Sequence, residues 1–379
     1  MKAIVNSAII MNNSVLKGHT VLFDEKIREI KEESVADLRG TEEVIDAQGR
    51  FLSPGFIDLH IHGCSGSDTM DDNDISIGNI SRSLPATGVT SFLPTTMTMS
   101  QPAIRKTIDR IRRLMGHEPG ATILGCYLEG PFISEEYKGA QYGGFIRKPD
   151  FKIIEGFLDV IRIVILAPEE EGSGEFIENC SKHGIITAIG HSGASYEQAM
   201  EAIRKGASHI THTFNAMAPL HHRKPGVVGA AMDSSASCEL IADNIHVDPA
   251  VQRILLKVKG TDNIVLVTDA MRACMLEDGE YDLGGQKVLL KGAEVRLESG
   301  ALAGSVLTID RALRNFRANT GISVVDAVST VTANPARILG LEDRKGSISE
   351  GKDADLVIFD EQFNIYGTFI KGKTVYEKK

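Results

Sequence analysis

The central part of this chain alternates repeatedly between short apolar runs and longer segments of helical period. The runs are rich in β-branched residues, as the buried strands of a parallel sheet are. Eight runs of this kind predict a TIM barrel rather than an open doubly wound sheet. They lie at residues 56–62, 89–95, 123–129, 161–167, 185–191, 208–212, 238–243 and 263–269.

The segments between the runs are predicted to be amphipathic helices. In residues 195–206, for example, Tyr196, Ala199 and Ile203 share one helical face and a glycine closes the segment. No Gly-x-Gly-x-x-Gly motif or P-loop follows any of the runs. Binding of a dinucleotide or a nucleoside triphosphate is therefore not indicated.

The two ends of the chain have a different pattern, of short alternating strands broken by glycine and charged turns. Each end is too short to bury a core alone, so we expect the two to pair with each other. The predicted fold is α/β, with a (β/α)8 TIM barrel at residues 55–335. A small discontinuous β-sandwich domain is predicted to form from residues 1–54 and 336–379.

Composition excludes several classes of protein. Of the 379 residues, 42% are hydrophobic, which is enough for a large core. The formal net charge is −10, and this negative charge disfavours nucleic acid as a partner. No apolar run approaches the length of a membrane span, and Asn6 and Ser7 interrupt the opening apolar stretch. The five cysteines are odd in number and contain no Cys-x-x-Cys pair. We therefore expect a cytoplasmic protein that acts on a small molecule, with no membrane partner.

Side chains that bind metals recur where the predicted strands end. Because the carboxyl ends of barrel strands meet at one mouth, we expect these side chains to converge there. Imidazole and carboxylate ligands without thiolates suit zinc, iron(II), manganese or cobalt, and such an ion can activate water. The sequence therefore predicts a metal-dependent hydrolase. The residues are His60, His62, Glu129, His191, His212 and Asp269.

Spacing separates these residues from the other histidines. His60 and His62 are two apart on one strand, so both imidazoles lie on the same face and can reach one cation. A single histidine at a strand end is more often structural, and the prediction therefore depends on five strand ends in register. His209 lies an odd number of residues before His212 and is expected to face the helices. No role is assigned to His19, His117 or His183.

Seven segments of the sequence form a distinctive set. They are PGFIDLHIHG (54–63), LEGPF (128–132), GHS (190–192), THTFNAM (211–217), DNIHVD (243–248), VTDA (267–270) and LAGS (302–305). With these segments the chain resembles the N-acetylglucosamine-6-phosphate deacetylases of the amidohydrolase superfamily over essentially its whole length. The proline-glycine-histidine motif at residues 54–62 is general to the superfamily, whereas LEGPF and H-x-F-N-A-M are specific to these deacetylases.

This resemblance implies a metal centre and a catalytic group. Glu129, His191 and His212 correspond to the ligands of the principal metal, and Asp269 to the catalytic acid and base. Some members of the family lack the His-x-His pair and hold one metal, while members that have it can hold two, bridged by the carboxylate. One or two divalent transition metal ions, zinc or iron, are implied here.

The resemblance also implies a set of residues that bind the amino-sugar phosphate. Arg223 and His246 correspond to phosphate ligands, which suits a guanidinium and an imidazole. Gln141 departs from the pattern, because several members have a histidine there that helps to polarise the scissile carbonyl. Glutamine can donate a hydrogen bond but carries no charge. The implied residues are Ala140, Gln141, Asn215, Ala216, Arg223, His246, Leu302, Ala303 and Gly304.

The implied reaction is hydrolysis of N-acetylglucosamine 6-phosphate to glucosamine 6-phosphate and acetate, in amino-sugar catabolism or recycling, by a homodimer. Deacetylation of N-acetylgalactosamine 6-phosphate stays open as an alternative. A dihydroorotase or D-aminoacylase is disfavoured, because those enzymes use a carboxylated lysine and no lysine ends a strand here. A catalytically dead amidohydrolase-like binding protein is the remaining alternative, although such proteins lose ligands and this chain keeps them.

Overall fold

The computed structural model describes residues 1–378 of the chain. Seven short strands precede the central part. Their alternating apolar residues supply one half of a separate core, described below. The strands are β1 (Lys2–Val5), β2 (Ala8–Ile10), β3 (Val15–Leu16), β4 (His19–Phe23), β5 (Ile27–Glu32), β6 (Glu43–Asp46) and β7 (Phe51–Pro54).

The central part contains the eight predicted strand positions, and the predicted barrel is confirmed. All neighbouring strands of the barrel are parallel, apart from a small antiparallel ribbon, β9 and β10, at its mouth. The strands are β8 (Phe56–Ile61), β9 (Gly63–Cys64), β10 (Ser67–Asp68), β11 (Val89–Pro94), β12 (Thr122–Ile123), β13 (Cys126–Leu128), β14 (Ile161–Leu166), β15 (Ile186–Ile189), β16 (Ala207–Ile210), β17 (Ser237–Leu240) and β18 (Ile264–Leu266).

Two parallel bridges close the barrel. One sheet has the order β12-β11-β8 and the other runs from β13 to β18 in sequence order. A bridge between Thr95 and Tyr127 joins the sheets on one side, and a bridge between Ile61 and Ala270 joins them on the other. The predicted third strand is broken at Gly125, where a Cβ atom would lie 2.6 Å from the Val160 carbonyl oxygen. Its two halves, β12 and β13, therefore pair with different neighbours.

Helices cover the outside of the barrel, as the βα pattern predicts. The helix predicted at residues 195–206 is α4, which begins with a capping box made by Ser195 and Gln198. Its buried Ala199 and Ala202 pack on the barrel. The helices of the described residues are α1 (Ser76–Ser83), α2 (Gln101–Leu114), α3 (Ser173–Lys182), α4 (Tyr196–Lys205), α5 (Gly226–Met232), α6 (Pro249–Lys259), α7 (Ile309–Thr320), α8 (Val324–Ser329) and α9 (Ala333–Ile338).

Two smaller features complete the central part. Short 3-10 segments lie at Leu84–Thr87, Gly143–Phe145, Phe151–Ile153, Glu155–Phe157 and Thr261–Asn263. An antiparallel sheet, formed by β19 (Gly279–Leu283), β20 (Gln286–Lys291) and β21 (Glu294–Leu297), follows the last barrel strand. Within residues 1–378, no helix is both long and apolar enough to cross a membrane.

The chain ends with β22 (Leu356–Phe359), β23 (Ile365–Ile370) and β24 (Lys373–Glu377), which join the N-terminal strands. Strand β22 pairs antiparallel with β7, so one sheet has the order β24-β23-β22-β7-β2-β3 and the other β5-β4-β1-β6. Ile4, Phe23, Leu52 and Phe369 belong to the core between these sheets. The predicted β-sandwich from both termini is confirmed, and the boundaries at residues 54 and 335 stay a prediction.

A buried ion pair lies where the sandwich meets the barrel, and it gives a test of stability. The Lys345 ammonium donates to Asp355 and lies 3.6 Å from Asp353, and the side chains of all three are at most 5% exposed. We expect Lys345→Met to lower the free energy of unfolding by about 3–5 kcal/mol, because it leaves the buried Asp355 carboxylate without a cation. Asp353 keeps its pairs with Lys26 and Arg344. Urea unfolding measures this change. Lys287→Met removes an exposed pair with Glu280 and should cost less than about 1 kcal/mol. An equal loss of the free energy of unfolding in the two variants would contradict a stabilising role for the buried pair.

Candidate active site

Glu129, His191 and His212 converge at the mouth of the barrel. His191 Nε2 lies 3.2 Å from Glu129 Oε1, His212 Nε2 lies 3.3 Å from the same oxygen, and the two nitrogens are 3.1 Å apart. All three side chains are at least nine-tenths buried. The Nδ1–H of His191 donates to the Tyr137 carbonyl oxygen at 2.9 Å, which leaves its Nε2 lone pair for the cluster.

His60, His62 and Asp269 form a second cluster beside the first. The two Nε2 atoms are 3.4 Å apart and lie 3.5 and 3.2 Å from Asp269 Oδ1. Glu129 belongs to both clusters, since its Oε2 is 3.1 Å from His62 Nε2 and its Oε1 is 3.6 Å from His60 Nε2. The structure thus brings together all six residues that the strand-end pattern singled out.

Both clusters have the dimensions of a metal site. Four ligands at 2.0–2.1 Å from a tetrahedral ion lie about 3.3 Å from one another. The separations within the two clusters are 3.1–3.3 Å and 3.2–3.5 Å respectively. His212 Nδ1 is buried and has no hydrogen-bond partner. This donor set, of histidine nitrogens and carboxylate oxygens without thiolates, fits a divalent transition metal.

The backbone aims three of these side chains by an unusual conformation. His191, His212 and Asp269 follow β15, β16 and β18, and they have positive φ angles of 48°, 26° and 48°. Non-glycine residues adopt this left-handed region rarely, and such strain concentrates at functional sites. These side chains therefore do not follow the alternating directions of the strands, and they point toward the mouth of the barrel.

Opposite charges dominate the electrostatics of the cluster in the protein without a metal. Burial favours the neutral forms, but Glu239, Asp269 and Glu129 outweigh it and raise the pKa of His60 to about 9. Burial likewise opposes ionisation of Asp269, yet the His60 and His62 imidazoles hold the pKa of this carboxyl below its usual range. Asp269 is therefore ionised at neutral pH and able to accept a proton.

The clusters open into a cavity of about 240 Å³, which several residues implied for substrate binding also line. Of the nine residues implied for substrate binding, Arg223 and Ala303 do not line the cavity. The Arg223 guanidinium lies on an exposed loop, 2.7 Å from His222 Nε2, and Ala303 is fully buried. A larger groove of about 860 Å³ lies along β20 and β21, away from both clusters. The implied residues that line the cavity are Ala140, Gln141, Asn215, Ala216, His246, Leu302 and Gly304.

His246 lies at the wall of this cavity, beside a carboxylate that favours its protonated form. Its Nδ1 donates to Asp243 Oδ2 at 2.6 Å, and Asp243 Oδ1 accepts from the His246 backbone N–H at 2.8 Å. Burial favours the neutral imidazole, but the Asp243 carboxylate outweighs it and raises the pKa of His246. A protonated imidazole at a cavity wall is a donor suited to an anion.

Gln141 contacts Glu129, the residue that belongs to both clusters. Its amide nitrogen donates to Glu129 Oε2 at 2.6 Å, and its amide oxygen accepts from the Thr98 backbone N–H at 2.7 Å. The second bond fixes which end of the amide faces the carboxylate. Gln141 therefore holds one carboxylate oxygen of Glu129, at the rim of the same cavity.

Comparison with known proteins accounts for this arrangement. The model of the amidohydrolase family matches residues 51–375. The chain belongs to the amidohydrolase family. An N-acetylglucosamine-6-phosphate deacetylase from Bacillus subtilis (strain 168) is 38% identical over 382 residues, which is 98% of this chain and 96% of that protein. The resemblance to these deacetylases is thereby confirmed.

Two further proteins are similar to this chain over most of its length. An N-acetylgalactosamine-6-phosphate deacetylase from Escherichia coli O157:H7 is 37% identical over 336 residues, covering 87% of this chain and 89% of that protein. The crystal structure of N-acetylglucosamine-6-phosphate deacetylase from Pasteurella multocida has 31% sequence identity to this chain and a TM-score of 0.94. It matches over 100% of both chains. Epimeric substrates thus occur among relatives of similar identity.

Sequence reasoning missed one buried carboxylate of this amidohydrolase and misplaced one histidine. Glu239, on β17, is completely buried and accepts from the His212 backbone N–H at 2.9 Å. His209 does not face the helices, as expected, but points into the barrel, with Nε2 3.0 Å from Glu239 Oε1. The parity argument failed because His212 lies beyond the end of β16 with a positive φ, where strand alternation no longer holds. A glutamate within an apolar run was the available signal for Glu239.

Proposed function

We propose that this amidohydrolase hydrolyses the N-acetyl group of N-acetylglucosamine 6-phosphate, giving glucosamine 6-phosphate and acetate. One observation carries the proposal: two clusters of metal-binding donors share Glu129 and open, with Asp269, into a single cavity. The named activity of the B. subtilis relative, at 38% identity over nearly the full chain, supports the substrate. Proton NMR of a reaction mixture tests it directly, because free acetate should appear in equal amount to the amino-sugar product.

We assign the metal-binding roles by cluster. Glu129, His191 and His212 would hold the principal cation, zinc or iron, and His60, His62 and Asp269 form the place for a second. When bound, such an ion supplies Lewis-acid stabilisation of a developing oxyanion and lowers the pKa of a water. Whether one or two ions act in turnover is decided by metal analysis of active protein.

Asp269 is proposed to move the protons. Its carboxylate accepts a proton from the attacking water, whose oxygen forms a bond to the acetyl carbonyl carbon. As the carbon–nitrogen bond breaks, the protonated Asp269 returns that proton to the departing amine. The net reaction consumes one water and leaves Asp269 ionised for the next turnover. Gln141, through its bond to Glu129 Oε2, holds the shared carboxylate during these steps.

The rest of the cavity is proposed to bind the sugar phosphate. Asn215 and Ala216 lie in the loop that follows β16, and His246 supplies a charged donor for the phosphate. Ala140, Leu302 and Gly304 would line the sugar, with Ala303 buried behind them. Arg223 reaches the phosphate only if its exposed loop turns its guanidinium from His222 toward the cavity.

His246 gives the phosphate assignment a pH signature. Its pKa is raised in the folded protein, so the imidazole is charged at low pH and loses its proton as the pH rises through that raised value. We expect KM for the phosphorylated substrate to rise about tenfold across that transition, the value of one charge-assisted hydrogen bond. Asp243→Asn removes the group that raises the pKa, so the rise in KM should move to lower pH. An unshifted profile would count against His246.

Deacetylation of N-acetylgalactosamine 6-phosphate is the second candidate. The similarity to the E. coli O157:H7 relative, at 37% identity, favours it over other amidohydrolase reactions. We further propose a cytoplasmic homodimer. The five cysteines are buried and free, which suits a reducing compartment. Light scattering on the purified protein tests the dimer.

A further inference from the structure

A buried chain of hydrogen bonds leads through the barrel to His60. Ser237 Oγ lies 2.6 Å from His209 Nδ1, and His209 Nε2 lies 3.0 Å from Glu239 Oε1. Glu239 Oε2 in turn lies 3.0 Å from His60 Nδ1. Ser237 is 6% exposed and the other three residues are completely buried. Ser237 Oγ also lies 3.2 Å from the Ser208 carbonyl oxygen, whereas the side chains of His209, Glu239 and His60 are joined to one another.

The carboxylate of Glu239 determines where the protons lie. An ionised carboxylate only accepts hydrogen bonds, so both imidazoles that face it must donate. His60 therefore always keeps a proton on Nδ1, so that in the neutral ring, the form that binds a metal, the lone pair is on Nε2. That Nε2 is the atom 3.4 Å from His62 Nε2 and 3.5 Å from Asp269 Oδ1. The opposite tautomer would place an N–H in the metal-binding cluster and prevent ligation.

Glu239 is itself held in place at three points. His209 occupies Oε1, while Oε2 accepts from His60 Nδ1–H and from the His212 backbone N–H at 2.9 Å. The Ser237 hydroxyl can donate to or accept from His209 Nδ1, so it accommodates either tautomer of that ring. The carboxylate thus touches one residue from each of the two metal-binding clusters.

We propose that Glu239, held by His209 and Ser237, is a positioning residue that fixes the Nδ1–H tautomer of His60 and so completes a second cation site at His60, His62 and Asp269. This inference rests on the proposed function only through the metal-binding role of those three residues. Carboxylate partners of metal-binding histidines typically change metal affinity by about 10–100-fold when removed.

Zinc titration of the metal-free protein tests the proposal without any substrate. We expect two equivalents of Zn²⁺ to bind the wild-type protein, and Glu239→Met to weaken the second equivalent by about 10–100-fold while changing the first less. Glu239→Gln should restore the second equivalent. Its amide oxygen can accept from His60 Nδ1–H, while its NH2 group donates to His209, whose ring reverses its tautomer against Ser237.

Asp355→Asn is the control for the loss of a buried carboxylate, because Asp355 pairs with Lys345 far from both clusters in the fold. This variant should keep both equivalents at wild-type affinity. A wild-type protein that binds one equivalent, or a Glu239→Met protein that binds the second with unchanged affinity, would overturn the proposal. Two equivalents in a protein that releases no acetate would instead contradict the proposed function alone.

A spectroscopic measurement covers the case in which Glu239→Met does not fold. In zinc-loaded wild-type protein with ¹⁵N-labelled histidine, the His60 signal is identified by its loss in His60→Asn. We expect that signal to show a zinc-bound Nε2 and a protonated Nδ1 protected from exchange. Zinc on Nε2 leaves the ring proton on Nδ1 in any case, so the deciding quantity is the chemical shift of that proton. A shift without the strong downfield displacement that a carboxylate acceptor causes would overturn the proposal, since it would show that Glu239 does not hold the Nδ1–H.

Discussion

Replacing Asp269 with asparagine should lower kcat by about 10²–10⁴-fold, the usual contribution of a general acid and base. Asparagine keeps the shape of the side chain and an oxygen that faces His62, but it neither accepts the proton of water nor returns it to the amine. KM and the content of the principal metal should change little. Steady-state kinetics on protein of measured metal content checks both expectations.

The matched control for this variant is Asp233→Asn. Asp233 accepts a hydrogen bond from the Tyr196 hydroxyl at 2.6 Å, on an exposed part of the surface. The Asp233→Asn variant should have the wild-type kcat. If Asp269→Asn retained more than a tenth of wild-type turnover with its metal bound, proton transfer would have to be assigned to another group.

Replacing Glu129 with alanine should abolish metal binding at both clusters and reduce turnover to the uncatalysed background. Glu129 is the carboxylate that lies within 3.1–3.6 Å of ligand atoms in each cluster. Its removal leaves four buried imidazoles with fewer negative partners, so we expect the loss of metal affinity to exceed the about 100-fold seen for residues that only orient a ligand. Metal analysis and zinc titration measure the effect.

His183→Ala is the control for Glu129→Ala. His183 is exposed at the end of α3 and lies outside both clusters, with Nδ1 2.8 Å from the Asn179 carbonyl oxygen. The His183→Ala variant should keep the wild-type metal content and turnover. A Glu129→Ala protein that still binds two equivalents of metal would contradict the assignment of this residue as the shared ligand.

The fold could be predicted because its determinants are local. Each βα unit repeats the same pattern of a short apolar run and an amphipathic segment, and the number of repeats distinguishes a barrel from an open sheet. The break at Gly125 could not be predicted in this way. A Cβ atom at this position would lie 2.6 Å from the carbonyl oxygen of Val160, the residue before β14, and no local pattern encodes that contact.

The residues of the site likewise include some that the sequence predicts and some that it does not. The six metal-binding candidates were predictable because parallel strands place their carboxyl ends at one mouth, whatever the loops do. Glu239 and His209 were not, since a buried polar pair inside the barrel is recognised only when the partner strands are known. For Arg223, the resemblance predicts a contact that the structure does not contain. Resemblance indicates a phosphate ligand there, whereas the exposed guanidinium contacts His222 outside the cavity.

A comparison of kcat/KM for three substrates, on protein of known metal content, decides whether this amidohydrolase acts on amino-sugar phosphates. These are N-acetylglucosamine 6-phosphate, its galacto epimer and unphosphorylated N-acetylglucosamine. We expect the phosphorylated gluco sugar to be the best substrate. Removal of the phosphate should lower kcat/KM at least about tenfold, because charge-assisted bonds are lost. Equal kcat/KM for the phosphorylated and unphosphorylated sugars, or no acetate from any of the three, would contradict the proposed function.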